Sequence, residues 1–323
     1  MIPVKTEYNN DQDLRELFHN TPNFKTDLTS SVMHRLQSES KPKERFYVKY
    51  KVSLLVLAGM LLTVSSGFAA VKYHSLKNSH GEVVYQEKSI SEAPAIANYS
   101  DEERKRISIA NQAYDKLDKG TAMLIYVASH NPDHQLDMRF TPFIFQNAAD
   151  LRKKVNNSDI KLLDKIEGDY TFEWAEAFMS PITDVKPLTS EEEADIAEKL
   201  RQKALASNAD YAMMPIEFAD DFRHIRSFYK QGDKKIAVTT VNYGVGHGTA
   251  TSYWDDQLDL IKEKFTVKGT EMIFTKDSDG SPSGINWVDQ DAKTGQTYGY
   301  TVSVWEGHVT EQELLNLVKM YLN

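Results

Sequence analysis

The chain contains 20 consecutive residues without a charge, Val52 to Val71, although 26% of its residues are charged. As a helix rising ~1.5 Å per residue, such a run spans the ~30 Å hydrocarbon core of a bilayer. A removable signal peptide has a shorter apolar stretch, roughly 7–15 residues, close to the N-terminus. This run begins only after 51 residues. Ser65, Ser66, Gly67, Ala69 and Ala70 have the small size of a cleavage site, but they sit at the far end of the run. A buried core helix of this length would show a polar face, and here the only polar groups are Ser and Thr hydroxyls. The expectation is a retained transmembrane helix over 52–71.

Charge sets its direction. Lys41, Lys43, Arg45, Lys49 and Lys51 precede the run, with Glu44 as the only acid among them, whereas Lys72 and Lys77 follow it. The more basic flank stays in the cytoplasm, which places the N-terminus inside and the C-terminal part outside. Tyr47 and Tyr50 before the run and Tyr73 after it suit the two interfacial aromatic belts. The expected localisation is the cell membrane, single-pass, with the lipid bilayer as one partner.

The expected division is a cytoplasmic helical segment (1–45), the span (52–71) and an extracytoplasmic part long enough for one large or two smaller domains. The first 51 residues hold nine basic and seven acidic side chains; the whole chain is −9, which leaves −11 for the remainder. So acidic an outer part argues against nucleic acid and anionic polymers as ligands. The absence of cysteine removes thiol catalysis, thiolate zinc sites and lipidation of a cysteine.

Residues 11–37 suggest two short helices. The first carries Leu14, Leu17 and Phe18 on one face and ends before Pro22. The second carries Leu28, Val32, Met33 and Leu36. Helices this short need a partner for their stripes. That partner is each other, the membrane surface or a cytoplasmic protein. These seven residues are the candidate partner-binding set.

The outer part reads as α+β, an antiparallel sheet with packed helices. HGEVVYQE (80–87) reads as a strand, and Ser100 with Glu103 forms a capping box. The helix that follows is expected to bury Ile107, Ala110, Tyr114 and Leu117 and to end at Gly120. Residues 121–129 and 139–146 read as strands, with Pro142 marking an edge or bulge, and 148–155 and 161–166 read as helical. The Pro-bearing stretch 180–188 is the candidate boundary between an 80–185 subdomain and a 189–323 domain. Capping boxes recur at Thr189 with Glu192 and at Thr310 with Glu313. Between them, strands are expected at 234–244, 260–269, 270–277, 283–290 and 297–305, a meander closed by a helix packing through Leu314, Leu317, Val318 and Tyr321.

Four patterns bear on chemistry. YGVGHGTATSYW (243–254) is rich in glycine but matches no phosphate-binding motif and reads as a loop. Asp277-Ser-Asp-Gly280 lacks the glycine and glutamate positions of a calcium loop and reads as a hairpin turn. HNPDH (130–134) spaces two histidines around a proline, which denies them a common helix face. Asp220-Asp221 and Asp255-Asp256 are adjacent acids whose convergence a sequence does not reveal. Trp174, Trp254, Trp287 and Trp305 are core or interface residues, or else a sugar platform. No catalytic or metal-binding residue is assigned and no cofactor is expected; the chain is expected not to be an enzyme.

Thr266-Val-Lys-Gly269, Ile285-Asn-Trp287, Tyr298-Gly-Tyr300-Thr and Val309-Thr-Glu-Gln-Glu313-Leu-Leu occur in an order that resembles the DUF4367 family of extracytoplasmic domains from spore-forming Gram-positive bacteria. The resemblance covers about residues 210–323. The chain departs from it in the longer turn DQDAKTGQ and in Ser303-Val-Trp-Glu-Gly307. Such domains are often joined to one span and a short segment like the sigma-binding part of anti-sigma factors, and Phe24 to Leu36 is similar to that segment. The resemblance implies a membrane-anchored sensory or regulatory protein, with a sigma factor or other cytoplasmic protein as inner partner and an unknown outer ligand. The alternative is an anchored binding or scaffold protein with a passive tail. The family has no established catalytic residues to transfer.

Overall fold

Three capping boxes set three helix starts. Ser100, Thr189 and Thr310 each accept a hydrogen bond from the backbone N–H three residues on, and Glu103, Glu192 and Glu313 each accept one from the cap residue's own N–H. The computed structural model describes residues 73–78, 80–93, 99–167, 169–245, 249–291 and 294–322, and these fall within one compact unit. The expected span 52–71, the candidate residues Leu14, Leu17, Phe18, Leu28, Val32, Met33 and Leu36, and the Gly246–Gly248 part of the glycine-rich loop lie outside the described residues. Among the described residues no helix is long and apolar enough to cross a membrane.

The described part is α+β, as expected. In chain order the strands are β1 (Ser75–Lys77), β2 (Val83–Ser89), β3 (Ala122–Val127), β4 (Leu136–Phe140), β5 (Phe143–Phe145), β6 (Lys165–Ile166), β7 (Tyr170–Pro181), β8 (Tyr211–Ile216), β9 (Phe218–Gln231), β10 (Lys234–Val245), β11 (Ala250–Trp254), β12 (Ile261–Val267), β13 (Thr270–Lys276), β14 (Pro282–Gln290) and β15 (Gln296–Glu306). The helices are α1 (Asp101–Tyr114), α2 (Ala148–Val155), α3 (Ile182–Val185), α4 (Ser190–Ser207) and α5 (Glu311–Tyr321). The large sheet runs β12-β13-β14-β15-β10-β9-β7-β5, with β6 paired to β7. Two three-stranded sheets flank it, β1-β2-β11 and β4-β3-β8. β2 and β11 pair in parallel; every other pairing is antiparallel.

One face of the large sheet is the core. Residues paired across strands share a face. Met272 pairs with Trp287, Trp287 with Tyr300, Tyr300 with Thr240, Thr240 with Ile225, and Ile225 with Ala177. All six are buried. α5 covers this face: the Tyr321 ring lies 6.1 Å from Trp287 and 6.3 Å from Tyr300. Its expected packing residues Leu314, Leu317, Val318 and Tyr321 are buried, with Leu315 beside them. Each large side chain removed from water in this way contributes about 1.5–3 kcal/mol.

Several expectations are corrected. Residues 161–166 are not helical. They form a loop ending in β6, and Leu162 and Ile166 are buried; Tyr229 Oη donates to the Leu163 carbonyl at 2.9 Å, holding the loop against the core. Residues 139–146 are two strands in two sheets, because the chain breaks at Thr141-Pro142: β4 pairs β3, whereas β5 pairs β7. α1 buries Arg106, Ala110 and Ala113 rather than Ile107, Tyr114 and Leu117. Its face is rotated because Arg106 forms an ion pair with Asp137 of β4, both side chains at most 10% exposed. Removing one partner of such a pair costs about 3–5 kcal/mol. α1 is capped at Asp115; Gly120 lies beyond, at φ 72°, in the turn into β3. β7, β8 and β9 were not expected, nor was β11, which takes up Ala250–Trp254 of the stretch that reads as a glycine-rich loop and pairs with β2. Strands from both sides of the stretch 180–188 share the large sheet, β7 pairing with β9.

Gly299 marks a close approach. A side-chain carbon added there would lie 2.6 Å from the Tyr243 ring. Gly299→Ala is expected to destabilise the protein by about 1–3 kcal/mol, as overpacking does. In a Tyr243→Ser background the cost shrinks, which a double-mutant cycle of thermal or denaturant melts measures.

Glu313 ties α5 to the β9–β10 turn. Its carboxylate accepts from Lys234 Nζ at 2.7 Å and from the Thr310 backbone N–H at 2.7 Å. These bonds, Lys234 first, hold its pKa down at about 2, below the ordinary 4.5. A carboxyl depressed in the folded state stabilises fully above its unfolded pKa, and that contribution disappears as pH falls through the folded value. Acid melts should therefore show stability lost between about pH 4.5 and 2, with a shallower loss in Glu313→Gln.

Candidate binding face

The second face of the large sheet is covered only in part. The β1-β2-β11 sheet packs on it at one end, where Leu76, Val84, Tyr85, Ile273 and Val288 form a buried cluster. At the other end Phe140 of β4 meets Phe178 of β7, ring centroids 6.3 Å apart. Between these, across β7, β9, β10 and β15, Glu176, His224, Arg226, Thr239 and Thr301 are half-buried, while Phe228 and Ala237 on the same face are buried. The half-buried ones face outward.

Register places them in rows. Glu176 pairs with Arg226, Arg226 with Thr239, Thr239 with Thr301, and Thr301 with Asn286. This polar row crosses five strands, and Arg226 meets Glu176 at 3.4 Å. The next row holds Trp174, Phe228, Ala237 and Ser303. Trp174 stacks on Phe228 with centroids 4.1 Å apart and planes 15° apart. Trp305 meets Phe228 edge-on at 5.2 Å and 78°. The small Ala237 on the intervening strand leaves room for that reach. Trp305 remains 53% exposed. Lys235 lies 3.5 Å from Glu173 and 3.6 Å from Glu306.

On the other side of the polar row, His224 stacks on Phe178 at 4.2 Å and 22°. Burial, with Arg226 and Arg223 nearby, pushes its pKa below the ordinary 6.5. Tyr243 lies where the open face meets the small sheet, and burial pushes its phenol up to about 12. Behind it, the β1-β2-β11 sheet is held by a buried ion pair. Glu87 accepts from Lys262 Nζ at 2.9 Å, their side chains 0% and 6% exposed, and Lys262 sits 3.6 Å over the Trp254 ring.

The candidates named from sequence are dispersed. Trp287 is core, Trp254 belongs to the Lys262 site, and only Trp174 and Trp305 share the open face. Asp277 to Gly280 form a hairpin turn, with the Gly280 N–H donating to the Asp277 carbonyl at 2.9 Å. Asp221 accepts from Asn242, whereas Asp256 accepts from Tyr73 and Ser89. His134 Nδ1 is bonded to Tyr126 Oη at 2.7 Å. It lines an open cleft of about 580 Å³ with Asp133, Glu193 and Glu198. Arg201, then Gln202, hold the Glu198 pKa down at about 2. Among the described residues no group of three or more His, Asp or Glu side chains is placed to hold a metal ion. Arg226, Glu176, Thr239 and Thr301 were not singled out from sequence; inside β9 the apolar residues Phe222, Ile225 and Phe228 recur every third position, so no two-residue alternation marks the strand.

No family model matches the chain, and neither does any curated protein or solved structure.

His224 provides a check on this face. A histidine whose folded pKa is depressed contributes stability fully above its ordinary pKa and loses it as pH falls. NMR titration should place its midpoint below 6.5. His224→Phe should remove the corresponding loss of stability as pH drops through that range.

Proposed function

We propose that this chain is a single-pass membrane protein with a sensory or regulatory role, anchored by 52–71, with residues 1–45 in the cytoplasm and a ligand-binding domain outside. The observation that carries the anchorage is the 20-residue uncharged run with its five-to-two excess of basic residues on the N-terminal side. What supports a binding role is the half-buried face across β7, β9, β10 and β15, where aromatic and hydrogen-bonding side chains stand side by side. The inner role follows from the apolar stripes Leu14, Leu17, Phe18 and Leu28, Val32, Met33, Leu36, which suit a protein partner such as a sigma factor. A second reading keeps the anchor and the outer binding face but leaves the tail passive; the two stripes favour it by being able to cover each other.

The full chain should fractionate with membranes. Protease added to intact protoplasts should remove the part after Lys72 and spare the tail. Recovery in the soluble fraction overturns the anchorage. A sigma factor that co-purifies with the wild-type chain, and not with a Val32→Asp, Leu36→Asp variant, separates the regulatory reading from the passive one. Unchanged behaviour after replacement of residues 1–40 selects the passive tail.

A further inference from the structure

We infer that the open sheet face is a platform for a neutral glycan chain, with the Trp305 indole as its stacking surface. The inference rests on the reading of this face as the binding surface and does not depend on membrane anchorage. Its first support is the aromatic cluster. An indole that is 53% exposed is costly to leave in water, yet this one is fixed rather than free. Phe228, itself 2% exposed, meets it edge-on, and Trp174 backs Phe228 face to face. A ring held in this way loses little entropy when a ligand lies on it. The flat array of C–H groups on one side of a pyranose is the complement of such a ring, and its hydroxyls point outward from the stack toward neighbouring groups.

The second support is the chemistry of those neighbours. Thr301, Thr239 and Ser303 present hydroxyls that both donate and accept. Ser303 and Thr301 follow Trp305 along β15 at steps of ~6.7 Å, and Thr239 lies opposite Thr301, so a chain of hydroxylated rings laid along this strand from Trp305 meets a polar group at each step. Sugars need this mixture; a lipid chain does not, because the polar row would be buried under it at a cost.

The third support is charge. Arg226 is matched by Glu176, and Lys235 lies between Glu173 and Glu306. A polyanion finds no surplus of positive charge here, and the chain as a whole is −9. An extended peptide pairing by strand addition would use a sheet edge, which here means β12 or β5, not the middle of a face.

The test uses the full chain in mild detergent, with chitohexaose, cellohexaose and maltohexaose as probes and hyaluronan as the anionic comparator. Titration calorimetry and tryptophan fluorescence should show saturable binding of at least one neutral hexasaccharide. Trp305→Ala should weaken it by about tenfold or more, because a packed aromatic anchor carries most of such a contact. The melting temperature should stay close to wild type, since that ring is half exposed. Trp305→Tyr should retain part of the affinity. Thr301→Val should weaken binding by a smaller factor. The glycan assignment is overturned if none of the three neutral sugars binds, if Trp305→Ala binds as wild type, or if hyaluronan binds more tightly. A chain found in the membrane that binds no sugar overturns the glycan assignment alone. A chain that binds sugar but fractionates as soluble overturns the anchorage alone.

Discussion

The pairing of β10 with β15 joins two structures that would otherwise be separate. On one side stands the meander β12 to β15. On the other stand β9, β7 and β5. Ten cross-strand pairs, from Lys235 opposite Glu306 to Val245 opposite Gln296, close the seam. Through it the buried row from Met272 to Ala177 becomes one continuous core, and α5 lies where that core needs a cover. Both faces depend on this seam. The polar row from Glu176 to Asn286 also crosses it, so the open face exists only once β15 lies against β10. Lys234 bonded to Glu313 adds a tie on the same seam, linking the β9–β10 turn to the start of α5.

Much of this was legible in the sequence, for identifiable reasons. The capping boxes at Ser100, Thr189 and Thr310 are local, so three residues suffice to announce them. β12 to β15 were readable because short alternating runs are separated by turns rich in Asp, Gly and Ser. β7 and β9 were missed for the opposite reason. One of their faces is neither core nor plain solvent surface, and Glu176, His224 and Arg226 interrupt the apolar signal. KLLDKI reads as helix because its leucines and isoleucine suit one, but they act as the lid of a loop over Tyr229. The binding face is harder still to read. Its residues come from positions 174, 226, 239, 301 and 305, and only the sheet register brings them together. Trp305 is one of four tryptophans, and nothing local separates it from Trp287, which sits 1% exposed beneath α5.

Two buried ion pairs hold the flanking sheets, Arg106 with Asp137 and Lys262 with Glu87. Desolvation offsets much of the attraction in such pairs, so their larger effect is on alternatives: a slipped register would strand a charge without its partner. Each pair therefore fixes where a flanking element sits. Arg106 sets the rotation of α1, and Glu87, which also accepts from the His74 backbone N–H at 3.2 Å, sets the small sheet against β12. These flanking elements bound the open face at its two ends.

The strand order also has a temporal meaning. β2 finds its parallel partner only in β11, so the fifth residue-pair of that ribbon, Ser89 with Trp254, spans more than half of the folded part. The middle of the large sheet is filled by β15, which is made after both of its neighbours, β14 and β10. A chain delivered N-terminus first thus presents β2 as an unfinished edge until β11 is made, and β10 as one until β15 is made. Such edges are templates for pairing with other chains. The long wait between β2 and β11 places the vulnerable step of this protein's life before the fold is complete rather than after it.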